Sequence, residues 1–171
     1  MSEIVYILMG SNMGDREKNL QRALTRLELI SGLEVVATSG IYVSEAIDME
    51  GENPSFMNQA VMVMYQYTPS ALLSELEAVE RDMGRTGKGQ KLPRAIDLDI
   101  LLFGDQIIET EALSIPHREL LNRPFAMLPL LQITPDLIHP VTSTPIADFV
   151  SEQDEQEVIL YKDHVGRDIR T

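Results

Sequence analysis

Two aspartates interrupt an apolar run in Pro93-Arg94-Ala95-Ile96-Asp97-Leu98-Asp99-Ile100-Leu101-Leu102-Phe103-Gly104. Side chains alternate along a strand, so Asp97 and Asp99 leave the same face about 6.8 Å apart while Ile96, Leu98 and Ile100 take the other. Two carboxylates this close raise each other's pKa and lose solvation together, which is unfavourable unless a cation sits between them. A divalent metal is the simplest remedy; at a solvated strand edge, the same pair can act as mere caps. The residues upstream favour the metal. Gly84 to Arg94 is a loop by its glycines and proline, and it holds Arg85, Lys88, Lys91 and Arg94, four of the 14 Lys and Arg of the chain. Acids beside cations suit a polyphosphate with Mg²⁺: the acids hold the metal, the metal bridges phosphate oxygens, and Arg and Lys take the remaining charge. The chemistry to expect is phosphoryl transfer.

These groups need elements to position them. Glu3 to Met9 reads as a buried strand, Gly10 to Gly14 as a turn, and Asp15 to Ile30 as a helix with Leu20, Ala23, Leu24, Leu27 and Ile30 on one face, ended by Gly32. Leu33 to Ser44 is one long or bent strand, and Asn58 to Tyr67 is another after an acidic loop. Thr68 or Ser70 caps a second helix with Pro69 near its start; Leu72, Leu73, Leu76, Val79 and Met83 form its core stripe, with Glu77 and Glu80 on the other side. Ala95 to Phe103 carries the acids, and Gln106 to Glu109 is expected to pair back on it as a hairpin. The order β-α-β-β-α-β predicts an α+β sandwich of ferredoxin-like type, an antiparallel sheet with two helices on one face, elaborated at the C-terminal end. In that elaboration Arg118 to Leu131 is expected to be helical around Pro124 and Pro129, Ile146 to Val150 a helical turn, and Val158 to Tyr161 a late strand.

Composition bounds the rest. The 171 residues, 44% hydrophobic, suit a single domain spanning 1–171, with a core of about 4–140 and an acidic stretch and short extension from Ser151. There is no cysteine, and no apolar stretch approaches the ~20 residues of a membrane helix. The start, Met1-Ser2-Glu3-Ile4, lacks the pattern of a secretory signal, so the expected location is the cytoplasm. A net charge of −13 argues against nucleic acid as a partner, and an anionic nucleotide must find local cations. Arg85, Lys88, Lys91, Arg94, Arg118 and Arg123 supply them. Monomer and dimer both stay open.

Further motifs stand in order along the chain: Gly10-Ser11-Asn12 after the first strand, Phe56-x-Asn58 before a central one, and Pro116-His117 followed by Asn122-Arg123-x-Phe125. With Pro93-Arg94, Asp97-Leu98-Asp99-Ile100 and Leu102-Phe103-Gly104, they make the chain, from about Ile4 to Pro140, resemble the 6-hydroxymethyl-7,8-dihydropterin pyrophosphokinases of folate biosynthesis. The resemblance implies the ferredoxin-like fold and transfer of the β,γ-diphosphate of ATP to the hydroxymethyl group of the pterin, releasing AMP.

It also implies roles. Asp97 and Asp99 would bind two Mg²⁺ ions, with Arg85 and Arg94 completing the catalytic set on a loop that closes over ATP. Phe56 and Phe125 would stack on the flat pterin while the Asn58 amide reads its edge, joined by Ser44, Glu45 and Ile47 from the loop after the second strand. Leu73, Ile100 and Ser114 would lie near the adenosine, His117 and Arg123 at the phosphates, with Lys88, Arg118, Glu77 and Glu80 as further nucleotide contacts. The 84–94 loop is shorter than the family pattern and lacks an aromatic residue that helps cover the pterin, Lys91 or Leu92 standing there instead; Ala112 stands where relatives can carry Arg. Two alternatives accompany this reading. One is another two-metal phosphoryl or nucleotidyl transferase, and the other a non-catalytic ferredoxin-like nucleotide-binding module.

Overall fold

Alternation along the first strand, β1 (Glu3–Ser11), sends Val5, Ile7 and Met9 into one apolar layer and Tyr6 and Leu8 into another. The sheet it belongs to is therefore covered on both faces. The structure, a computed structural model, describes residues 2–44, 55–84 and 95–163.

After β1, the Asp15 carboxylate caps α1 (Arg16–Glu28) by accepting from the Lys18 N–H, and Leu20, Ala23, Leu24 and Leu27 are buried along one stripe. The long strand expected next is divided into β2 (Leu33–Thr38) and β3 (Ile41–Ser44). At the break, the Gly40 N–H leaves the ladder and donates to Gln132 Oε1 at 2.7 Å. β4 (Phe56–Tyr65) is central, and α2 (Pro69–Asp82) follows with Thr68 as its cap and Pro69 at its first position. β5 (Asp97–Phe103) carries the two acids.

Among the described residues the main sheet runs β5-β1-β4-β3, with β2 also on β4 and every pairing antiparallel. With β2 and β3 taken as one bent strand, this is the ferredoxin-like βαββαβ arrangement, α1 and α2 lying on the Val5–Ile7–Met9 face.

Two later elements differ from expectation. The segment after β5 does not fold back on it: β6 (Ile108–Glu109) pairs with β7 (Ser114–Ile115) as a separate small hairpin. The helix expected from Arg118 to Leu131 is split into a 3-10 turn at Leu120–Asn122 and α3 (Pro124–Ile133), because Pro124 has no N–H to continue a helix but fits a first turn. That helix covers the second sheet face, where Ala126, Met127 and Leu130 pack with Tyr6, Leu8, Leu101 and Leu102. The chain then forms α4 (Glu152–Glu157), closed by a capping box at Ser151 and Asp154, and β8 (Val158–Lys162), which extends the sheet beyond β3. Part of the acidic C-terminal stretch is thus an ordered element of the fold.

Candidate active site

β5 is an outer strand of the sheet, so its outward backbone groups must find partners elsewhere. Two of them do so on either side of Asp99. The Leu98 N–H donates to Glu80 Oε2 at 2.8 Å, and the Leu101 carbonyl accepts the His117 N–H at 2.9 Å. Glu80 is only 6% exposed. It therefore belongs to the packed face of α2, not to the outer side that its spacing suggested, and its carboxylate there accepts a hydrogen bond from the backbone. The strand bearing the acids is held from outside by α2 and by the segment after β7.

The acids emerge at the point where two clefts meet. The first, of about 430 Å³, lies on the α3 side of the sheet and is lined by Leu8, Gly10, Ser44, Phe56, Asn58, Asp97, Asp99, Arg123 and Phe125. Ladder register builds it: Gly10 stands between Asp97 on β5 and Asn58 on β4, and Phe56 pairs with Ser44 on β3. Phe125 comes from the first turn of α3, and the Arg123 guanidinium carbon lies 5.7 Å from the centre of its ring. Asn58 is 2% exposed, and its Nδ2 is buried with no hydrogen-bond partner among the described residues. A buried amide left with a spare donor is unfavourable unless a ligand accepts from it.

The second cleft, of about 360 Å³, lies beyond the edge of β5 and is lined by residues including Leu73, Glu77, Glu80, Asp99, Ile100, Ala112, Ser114, His117 and Arg118. Arg118 Nη2 donates to Ser114 Oγ at 3.0 Å and pairs with Glu109 at 3.4 Å. His117 Nδ1 accepts the Glu119 N–H at 3.1 Å, which leaves the proton of a neutral ring on Nε2. Burial lowers the His117 pKa below the ordinary value, against the pull of the Asp99 carboxylate and with the help of Arg123. The ring is a neutral hydrogen-bond donor at neutral pH.

Asp99 lines both clefts, and Asp97 the first alone. Of the residues singled out from sequence, Ser44, Phe56, Asn58 and Phe125 share the aromatic cleft with the acids, while Leu73, Glu77, Glu80, Ile100, Ser114, His117 and Arg118 share the edge cleft. Arg123, expected beside the nucleotide phosphates, lines the aromatic cleft. Glu45, Ile47, Arg85, Lys88 and Arg94 lie outside the described residues. Gly10 acts through its missing side chain: a Cβ there would stand 2.7 Å from Asn58 Oδ1. The signal for this was the glycine itself directly after the large apolar run Ile4 to Met9.

A ferredoxin-like domain whose sheet edge joins an aromatic cleft to a second, polar one at Asp99 can hold two ligands side by side. The chain belongs to the 7,8-dihydro-6-hydroxymethylpterin-pyrophosphokinase family, whose model matches residues 6–135. It is 36% identical over 148 residues to the 2-amino-4-hydroxy-6-hydroxymethyldihydropteridine pyrophosphokinase of Aquifex aeolicus, covering 86% of this chain and 91% of that one. The Bacillus subtilis protein of the same name is 35% identical over 168 residues, covering 98% and 96%. Identity to the folic acid synthesis protein fol1 of Schizosaccharomyces pombe is 38% over 160 residues and 94% of this chain; there the chain spans only 22% of the relative's length. Among solved structures, a triple mutant of Plasmodium falciparum HPPK-DHPS superposes with a TM-score of 0.69 at 18% identity, over 91% of this chain and 45% of that one. That likeness concerns the fold.

Proposed function

We propose that the protein transfers the β,γ-diphosphate of ATP to the hydroxymethyl oxygen of 6-hydroxymethyl-7,8-dihydropterin, in folate biosynthesis. The observation that carries this reading is Asp99, the one acid shared by a cleft suited to a flat heterocycle and a cleft suited to a nucleotide. In the step itself the hydroxyl oxygen attacks the β-phosphorus, the bond from that phosphorus to the α-bridging oxygen breaks, the hydroxyl proton is lost, and AMP leaves. Family membership supports the same chemistry.

The pterin lies between Phe56 and Phe125, with the spare Nδ2 donor of Asn58 on a ring acceptor and Ser44 at its rim; Glu45 and Ile47 belong to the same assignment by sequence. ATP takes the edge cleft, its base near Leu73 and Ile100, with Ser114, Glu77, Glu80 and Arg118 around it and the His117 Nε2–H toward the phosphates. Arg123, from the aromatic side, can reach the transferred group as it moves toward the pterin. Arg85, Lys88 and Arg94 belong to the same assignment by sequence.

The donor set fits Mg²⁺: two hard carboxylates on one strand face, with no cluster of three acidic or His side chains among the described residues, suit an ion that keeps several waters and shares phosphate oxygens. Asp97 and Asp99 would hold two such ions, which when bound neutralise the charge on the triphosphate. Among the described residues of the aromatic cleft the acids are Asp97 and Asp99, which this reading takes as metal ligands, so the chain contributes positioning and fixed charge. We read the reaction as cytoplasmic, where ATP is available, and the whole of 1–171 as one domain. Among the described residues no helix is long and apolar enough to cross a membrane. The test is Asp97→Ala and Asp99→Ala, each expected to abolish pterin-dependent turnover while circular dichroism and melting stay native; turnover in either variant would refute the role of the acids.

A further inference from the structure

Phe56 is the first residue of β4 and its pairing with Ser44 is the last of the β3–β4 ladder, so the backbone just before it is outside the sheet. That backbone is held from elsewhere. Arg16 Nη1 donates to the Ser55 carbonyl at 2.6 Å and to Ser55 Oγ at 3.0 Å, across 39 residues of sequence. Arg16 opens α1, and three positions on, Asn19 Nδ2 donates to Ser11 Oγ at 3.3 Å and to the Met13 carbonyl at 2.8 Å, fixing the chain immediately after Gly10. The first turn of one helix thus holds the approach to Phe56 and the exit from Gly10, two walls of the aromatic cleft. The helix is a firm anchor, with Leu20, Ala23 and Leu27 fully buried beneath it. Arg16 does not itself line either cleft.

We infer that Arg16 is a positioning residue for the stacking ring: by gripping Ser55 from behind it sets the height and plane of Phe56 against Phe125, and so the affinity for the pterin. This rests on the pterin reading of the cleft. A charged donor on a carbonyl is stronger than a neutral one, and the short 2.6 Å contact restrains the backbone where the ladder does not. A stacking site loses affinity when its two faces are no longer held at the ligand's thickness.

The full chain serves for the test, with 6-hydroxymethylpterin as a fluorescent probe and steady-state kinetics on the dihydropterin. Arg16→Ala should raise both the pterin Kd and the pterin KM roughly tenfold, while kcat at saturation and the KM for ATP stay within about twofold. Arg16→Lys keeps one charged donor and should recover part of the loss. It also carries the test if the alanine variant does not fold, because a lysine with wild-type melting but weakened pterin binding supports the same conclusion. Pterin affinity unchanged in both variants would overturn the inference, as would equal losses for ATP and pterin, which mark a general loosening of the fold. Wild-type protein that binds no pterin would overturn the reading of the cleft and this inference with it; wild-type binding matched by the variants would overturn this inference alone.

Discussion

Gly10 and Asn58 are ladder partners on β1 and β4, and a Cβ on residue 10 would stand 2.7 Å from Asn58 Oδ1. The contact is too close for any real side chain, so the amide is oriented by an absence: its carbonyl occupies the space above Gly10, and Nδ2 is left without a partner among the described residues. Gly10→Ala should displace the amide at an overpacking cost of about 1–3 kcal/mol. The expected outcome is a modest fall in Tm and a pterin Kd raised at least about tenfold, with ATP binding unchanged, read by titration of each ligand separately.

Asn58 gives the complementary case. Asn58→Leu removes a buried polar group that has one unpartnered donor in the free protein, so the unliganded variant should melt no lower than wild type. Its pterin binding should nonetheless be lost. Thermal melts with and without pterin check this: stabilisation by pterin is expected in wild type and absent in the variant.

The two rings should matter for one substrate only. Phe56→Ala or Phe125→Ala removes one stacking face, worth about 1–3 kcal/mol for a planar base on an aromatic side chain, or roughly 5- to 150-fold in pterin Kd. ATP binding should hold in Phe56→Ala. Loss of ATP affinity there would mean that the clefts are assigned wrongly.

Glu80 links α2 to the strand of the acids. Glu80→Ala strands the buried Leu98 N–H, and the loss of a hydrogen bond to a charged acceptor predicts about 1.5–3 kcal/mol of destabilisation by urea unfolding. Glu80→Gln keeps an acceptor and should lose less. Equal stability of the alanine variant would show that the bond contributes nothing.

His139 sets a pH dependence of stability. It is 6% exposed, its Nδ1 accepts the Val141 N–H at 3.2 Å, and burial lowers its pKa below the ordinary 6.5. With the folded value depressed, the unfolded chain binds the proton first as the pH falls, so stability declines below about pH 6.5 until the folded group also titrates. His117, lowered likewise, adds to the same window. His139→Asn keeps an acceptor near the Nδ1 position without titrating, and should flatten part of the decline in Tm between pH 6.5 and 5; an unchanged slope would contradict it.

The sheet was legible because its signals are local. Alternation in Ile96 to Ile100, the helix start at Asp15 and the Thr68-Pro69 start each act within a few residues, and the structure keeps all three. What the sequence concealed depends on distant partners. The residues of β6 could pair with β5 or with a later segment, and β7 takes them because the β5 edge is already held by Glu80 and His117. Glu80 looked exposed because helical spacing cannot foresee a strand N–H waiting opposite it. The late strand from Val158 was legible, but its partner was not: Val158 is buried where it pairs with Ser44 on β3. The aromatic cleft was foreseen through the family motifs; the Arg16–Ser55 contact, joining residues 39 apart, left no local trace.

The measurement that bears most directly on the central claim is the identity of the nucleotide product. Purified protein is mixed with ATP, Mg²⁺ and 6-hydroxymethyl-7,8-dihydropterin, and the nucleotides are resolved by chromatography beside a pterin-free control. AMP formed in proportion to pterin, with both outer phosphates recovered on the pterin, is the predicted result. ADP as the product, or AMP formed equally without pterin, would contradict diphosphate transfer.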